Sequence, residues 1–319
     1  MEPEEIRSRV ETCWPARAVA PTSELVRAGI GDRLLTGAVR GGSVIRLCRG
    51  AYILGRAWRA ATPWEQSLYR LDAHAASTSG RTIYSYASAA RLLGCSTWNV
   101  GEKVHVTVPY SSSSRSHGPD VAAHVGSVGD TDLVELVREG RVLRLTSLNR
   151  TVADCARILD FERASVIGDH ALRLGATVDG IAEAARRTGA TRGSRRIERL
   201  LPVLDARSES AGETRTRLLL AGTSLARPEL QFEVYTEEGI YRADFAWPKL
   251  RVILEFDGDV KYFNYRPTPD VLLAERRREN ALLAAGWVVV RIRWADLAVP
   301  GMVLAKLRAA FARAAKLAG

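Results

Sequence analysis

Apolar and polar residues alternate with two different periods along this chain, and the switches between them mark its elements. In the last third, ETRTRLLLAGT has helical spacing from Glu213 onward. The stretch LQFEVYTEEGIYRADFAWPKLRVILEFDG then reads as strand, Glu-Glu-Gly turn, strand, Pro-Lys turn, strand. DVLLAERRRENALLAAGW is an amphipathic helix closed by Gly286, and WVVVRIRW is a buried strand. A final helix covers about residues 300–317, with Val303, Leu307, Phe311 and Ala314 on one face. The predicted order is αβββαβα.

The N-terminal pattern is different. In TSELVRAGIGDRLLTGAVRGGSVIRLCRGAYIL, Thr22 or Ser23 can cap a short helix ending near Gly29, and a second helix runs roughly from Gly31 to Arg40. After Gly41-Gly42, the runs Val44–Leu47 and Ala51–Leu54, joined across Arg49-Gly50, form a small hairpin. Two short helices followed by a hairpin make a winged helix-turn-helix, with Arg33 and Arg40 on the second helix and Arg46 and Arg49 on the wing. A small helical cap with solvated arginines fits the same pattern.

Between these parts, residues 59–207 read as mixed α/β. TPWEQSLYRLDAHAAS and SYASAARLLG are helical, KVHVTVP alternates as a half-buried strand, and SSSSRSHGP is a turn-rich loop. Helices follow from near Asn149 and over 161–175 and 178–187, and the basic, polar stretch 191–199 with Pro202 and ARSESAG behind it marks a boundary. The expected fold class is therefore multidomain α+β, with segments 1–58, 59–207 and 208–319.

Composition narrows the classes. A chain of 319 residues exceeds what one core usually supports. With 46% hydrophobic and 26% charged residues, disordered, collagen-like and disulfide-scaffold proteins are excluded. No apolar run reaches the roughly 18 residues of a membrane span, and MEPEEIRSRVETC lacks a signal-peptide core. Cys13, Cys48, Cys95 and Cys155 are scattered, which argues against structural zinc and suits a reducing cytoplasm. The net charge of +10 favours a polyanionic partner but is spread along the chain, so it locates no face. His74, His105, His117, His124 and His170 have no metal-ligand spacing, and structural or surface roles are expected for them.

Three carboxylates stand where apolar residues belong. Asp244 lies between Ala243 and Phe245, while Glu255 and Asp257 interrupt the run from Val252 and, two apart on a strand, share a face. The turn near 248–250 can bring Asp244 alongside them. Charges on a central strand need a partner or a metal, and clustered acidic oxygens suit Mg²⁺ or Mn²⁺. Lys261, four residues after Asp257, can orient a water or neutralise charge. The alternatives are that Asp244 pairs with Arg242 or Arg251 and that Asp257-Gly258 is only a turn.

GIYRADFAWPKLRVILEFDG, then Lys261-Tyr262 and RRRENALLAAGWVVVRIRWADL, resembles the Vsr-like branch of the PD-(D/E)xK nuclease superfamily over roughly residues 208–319. The resemblance implies a restriction-endonuclease-like core. It makes Asp244 the metal-binding aspartate, Glu255 the acidic residue of the second motif, and Glu213 that of the first helix. The superfamily's lysine falls two positions after the Glu, where this chain has Asp257, and Lys261 is the candidate substitute. No histidine follows His170 and no cysteine follows Cys155, so the mismatch endonuclease's histidine chemistry and zinc do not carry over. Residues 20–190, with RLCRGAYIL, SYASAARLLG, KVHVTVP and LTSLNRTVADCA, are similar to AbiEi-like type IV antitoxins. That similarity implies operator binding by the winged helix and a toxin as partner.

The leading expectation is an Mg²⁺- or Mn²⁺-dependent endonuclease acting on double-stranded DNA. Asp244, Glu255 and Glu213 would be its metal ligands, with Asp257 and Lys261 beside them and Arg33, Arg40, Arg46 and Arg49 on DNA. The alternative is a non-enzymatic, antitoxin-like regulator with a degenerate nuclease domain. A third keeps the chemistry on RNA or single strands, with Tyr262, Phe263 and Tyr265 as stacking rings.

Overall fold

The structure is a computed structural model that describes residues 2–78, 81–110, 118–189, 192–258 and 269–318. Its contacts divide the chain into two compact units, Met1–Leu159 with Thr177–Ile197, and Asp160–Ala176 with Glu198–Gly319. The architecture is α+β with three sheets. Among the described residues no helix is long and apolar enough to cross a membrane.

In the first unit, β1 (Val19–Pro21), β2 (Val44–Cys48) and β3 (Ala51–Leu54) form an antiparallel sheet of order β1-β3-β2. The helices Thr22–Arg27 and Asp32–Arg40 fall where the sequence places them, and Gly29 between them adopts φ 82°, a turn that suits glycine. An additional helix, Pro3–Cys13, buries only Val10 and joins a core with Leu25, Ile30, Leu34, Leu35 and Ala38. The helix Pro63–Ser77, opened by a Thr62–Glu65 capping box, packs against this sheet through Ala73.

The same unit holds a five-stranded mixed sheet, made of β4 (Ile83–Tyr84), β5 (Val104–Val108), β6 (Val121–Val125), β7 (Leu133–Arg138) and β8 (Arg141–Thr146), in the order β6-β5-β4-β8-β7. Only β5 is legible in the sequence. The helices Tyr86–Leu92, Leu148–Ile158 and Val178–Arg187 accompany it, with Leu71, Tyr84, Val106 and Leu145 at its core. Residues 111–117, where the sequence predicts a turn-rich loop and which include His117, lie outside the described residues.

The second unit contains β9 (Glu229–Thr236), β10 (Gly239–Trp247), β11 (Val252–Phe256) and β12 (Val288–Ile292), in the order β12-β11-β10-β9. The β11–β12 pair is parallel and the others are antiparallel. Helix Pro300–Ala318 covers one face through Val303, Leu307 and Ala310, packed with Phe245, Leu254 and Ile292. On the other face, Leu282 of helix Pro269–Ala284 and Trp287 pack with Val234, Ala246 and Ile253. This is the expected element order, with one short extra helix, Trp294–Leu297.

Helix Phe161–Arg173 belongs to this unit and packs against helix Ala211–Ala221. Asp169, 1% exposed, accepts hydrogen bonds from Thr214 Oγ1 at 2.8 Å, Arg217 Nη2 at 2.7 Å and the Asp205 amide at 2.8 Å. Burial raises the Asp169 pKa while Arg217 and these donors work to lower it, and the same bonds fix the helix that carries Glu213 in place.

Candidate functional site

The turn Pro248–Leu250 and the left-handed Arg251, at φ 52°, fold β11 back along β10 in the register Phe245↔Leu254. Asp244 therefore comes level with Glu255. Its Oδ2 accepts the Phe256 amide at 2.8 Å, replacing a ladder bond where the strand pairing ends. Asp244 makes no ion pair with any described residue, so neither Arg242 nor Arg251 is its partner. Arg242 instead reaches Glu209 at 2.7 Å, and Arg251 lies over the Trp287 ring at 5.4 Å.

Asp244, Glu255 and Asp257 all open on one cleft of about 320 Å³, with Arg242, Arg278 and Arg291 also in its walls. Burial raises the pKa of Glu255, while Arg278 works to lower it and Asp244 to raise it. Asp244 is raised by the same cause, against the opposing Phe256 amide and Arg278. Two carboxylates made reluctant to ionise, chiefly by desolvation and further by Asp244 acting on Glu255 and Glu209 on Asp244, favour an added cation.

Asp257 lies just beyond β11. Its amide donates to Ile292 O at 2.8 Å, and its carboxylate pairs with Arg293 at 3.1 Å. Lys261 lies outside the described residues, as do Tyr262, Phe263 and Tyr265.

Glu213 is 8% exposed, and burial raises its pKa with Asp244 adding to the effect. Ser210 caps its helix, accepting the Glu213 amide at 3.1 Å. The Glu213 Oε2 in turn accepts the Glu209 amide at 2.8 Å and Gln231 Nε2 at 2.9 Å. Gln231 takes φ 53° opposite Asp244, where the β9–β10 pairing skips from Ala243↔Phe232 to Phe245↔Leu230. Glu213 is thus engaged behind the cleft and is absent from its lining. Neighbouring Gly212 lies so close to β11 that a β-carbon there would sit 2.0 Å from the Phe256 ring.

Among the described residues, no group of three or more His, Cys, Asp or Glu side chains is arranged to hold a metal ion. Asp244 and Glu255 form a two-carboxylate, all-oxygen donor set on an open cleft, which fits a hard cation that keeps most of its waters.

In the first unit, Arg33, Arg40, Arg46 and Arg49 are all exposed. Arg33 and Arg40 flank an open hollow of about 750 Å³ with Ile6 and Thr36. Arg46 Nε donates to Cys48 O at 3.3 Å, and Arg49 lies beside a second cleft with Arg70 and Lys103.

Sequence reasoning missed Arg278 and Gln231 as cleft residues. Arg278 precedes buried Leu282 by four positions, so helical spacing already places it on the sheet-facing side. Gln231 carries no such signal. It also missed a three-ring stack in the first unit. There His105 Nδ1 and His124 Nε2 are 2.9 Å apart, and Tyr86, at φ 51°, stacks on His124 with centroids at 3.8 Å.

No family model matches the chain. It is similar to Uncharacterized protein MT2308 of Mycobacterium tuberculosis strain CDC 1551 / Oshkosh and to Uncharacterized protein Rv2248 of strain ATCC 25618 / H37Rv. Each is 29% identical over 273 residues, covering 84% of this chain and 93% of the relative.

Proposed function

We propose that the second unit is a metal-dependent DNA endonuclease with a restriction-endonuclease-like core, targeted to double-stranded DNA by an N-terminal winged helix. The observation that carries this reading is the convergence of Asp244 and Glu255 on one cleft, which Asp257, Glu209, Glu275 and three arginines also line. The likeness of residues 208–319 to the Vsr-like branch points the same way, while that of residues 20–190 to AbiEi-like antitoxins supports only the DNA-targeting part.

Asp244 and Glu255 are the residues that hold Mg²⁺ or Mn²⁺. Held there, such an ion would polarise a substrate phosphoryl oxygen and lower the pKa of a water. Arg242 and Arg291 line the cleft, each held by glutamates: Glu209 at 2.7 Å for Arg242, and Glu275 and Glu279 at 3.4 Å each for Arg291. Glu213 holds the Gln231 side chain, and so fixes the point of β9 that stands opposite Asp244. Arg33, Arg40, Arg46 and Arg49 contact phosphates or base edges.

Supercoiled plasmid and labelled duplex incubated with Mg²⁺, Mn²⁺ or EDTA test this reading, alongside Asp244→Ala and Glu255→Ala. Metal-dependent cuts lost in both variants support it, and cleavage that persists in both refutes it.

One observation favours a second reading. Glu255 and Asp257 are already paired, with Arg278 and Arg293, as in a protein that keeps the fold as a binding surface. The chain is then an antitoxin-like regulator with a toxin partner. Salt-sensitive operator binding without Mn²⁺ uptake would support that alternative.

A further inference from the structure

The three arginines of the cleft are not equivalent. Arg242 is held by Glu209 at 2.7 Å, and Arg291 lies between Glu275 and Glu279 at 3.4 Å from each. Arg278 reaches across from helix Pro269–Ala284 to the Glu255 carboxylate itself. The same Nη2 donates to Arg242 O at 3.2 Å, and the guanidinium stands 5.9 Å from the Tyr241 ring centroid. Its buried Nε has no partner among the described residues. Meanwhile the residue two after Glu255 is an aspartate turned toward Arg293. Among the described residues, the ion-pair partner of Glu255 therefore comes from a neighbouring helix and not from its own strand, with Arg291 of β12 adding a weaker effect.

We propose that Arg278 is the phosphate-binding cation of this cleft. In the free protein it is the counter-ion of Glu255. Once a divalent cation takes Glu255, the guanidinium is released to the non-bridging oxygens of a phosphodiester. The inference rests on the nuclease reading above and specifies its substrate contact. A guanidinium does not lose its proton in this pH range, so its part is electrostatic and it is not the base that activates water. Its planar fork matches phosphate geometry, and in a partly buried cleft a charge-assisted bond of this kind is strong.

Two binding measurements on the full chain test it, neither of which requires turnover. The first is the gain in affinity for a short labelled duplex when Ca²⁺ replaces EDTA. The second is Mn²⁺ binding by calorimetry in the absence of DNA. Arg278→Gln is expected to reduce the Ca²⁺-dependent duplex affinity about tenfold, the scale of one lost charge-assisted bond. It is also expected to bind Mn²⁺ severalfold more tightly, because Glu255 loses its competitor. Arg278→Lys should recover part of the duplex affinity, and Arg277→Gln, an exposed neighbour, should match the wild type.

Wild-type behaviour of folded Arg278→Gln in both measurements overturns the proposal. If that variant does not fold, Glu255→Gln approaches from the other side. Freeing Arg278 should raise duplex affinity in EDTA, and unchanged affinity overturns the assignment. A wild type that binds Mn²⁺ and duplex through these residues yet cuts nothing sinks the nuclease reading while leaving Arg278 as a phosphate-binding residue.

Discussion

The carboxylate of Asp244 accepts the backbone amide of Phe256 at 2.8 Å, one strand away. One side chain therefore both ends the β10–β11 pairing and faces the cleft. Asp244→Ala leaves that amide without its acceptor, at a cost of about 1–3 kcal/mol. Asp244→Asn can keep the acceptor but gives up the negative charge. Urea denaturation is expected to show a loss for Ala and near wild-type stability for Asn, while calorimetry shows lost Mn²⁺ binding in both. Full Mn²⁺ affinity in folded Asp244→Asn would remove this residue from the cation site.

Asp169 offers a stability test independent of any activity. It is almost fully buried and holds Arg217 at 2.7 Å, so Asp169→Ala leaves a guanidinium in the interior facing no charge. Breaking such a pair costs about 3–5 kcal/mol. The denaturation midpoint of the second unit should fall accordingly, and Asp169→Asn, which retains an acceptor for Thr214, should lose less.

The His105–His124 pair gives a pH dependence whose sign is set by burial. Burial first, and then His124, lower the His105 pKa from 6.5 to about 4. Between those values the unfolded chain binds a proton that the native protein refuses. This contribution is therefore fully present above about pH 6.5 and is lost as the pH falls toward 4, by at most on the order of 3 kcal/mol. The difference in unfolding free energy between wild type and His105→Gln, measured from pH 4 to 7.5, should narrow with acid. A difference that is flat with pH would show that His105 titrates normally.

For the exposed arginines the informative quantity is salt dependence. Arg33→Ala and Arg40→Ala are each expected to weaken DNA binding and to lower the slope of log affinity against log salt by about one, if each neutralises a phosphate. Unchanged slopes in both would leave the helix Asp32–Arg40 as a solvated cap.

The C-terminal unit was legible because β11 and the end of β10 carry consecutive buried residues, so its three carboxylates stood out from an apolar run. The helices at Asp32–Arg40 and Pro63–Ser77 were legible through glycine, proline and a capping Thr-x-x-Glu. The five-stranded sheet mostly was not: β7 buries no residue fully, and β4 is two residues long. Helix Pro3–Cys13 hides behind a polar sequence in which Val10 alone is buried. The cleft was half legible. Its acids lie on the two strands that break pattern, whereas Arg278 comes from a helix 23 residues later, whose basic run RRREN looks merely solvated.

Gly212 brings no atom to any chemistry, yet it sets how closely the helix of Glu213 lies on Phe256, whose amide Asp244 holds. It behaves as a spacer of zero thickness. An added methyl would wedge helix from strand and move Glu213, Gln231 and Phe256 relative to one another, with each of those side chains chemically intact. An alanine scan that skips glycines passes over the one residue on which the spacing of all three depends.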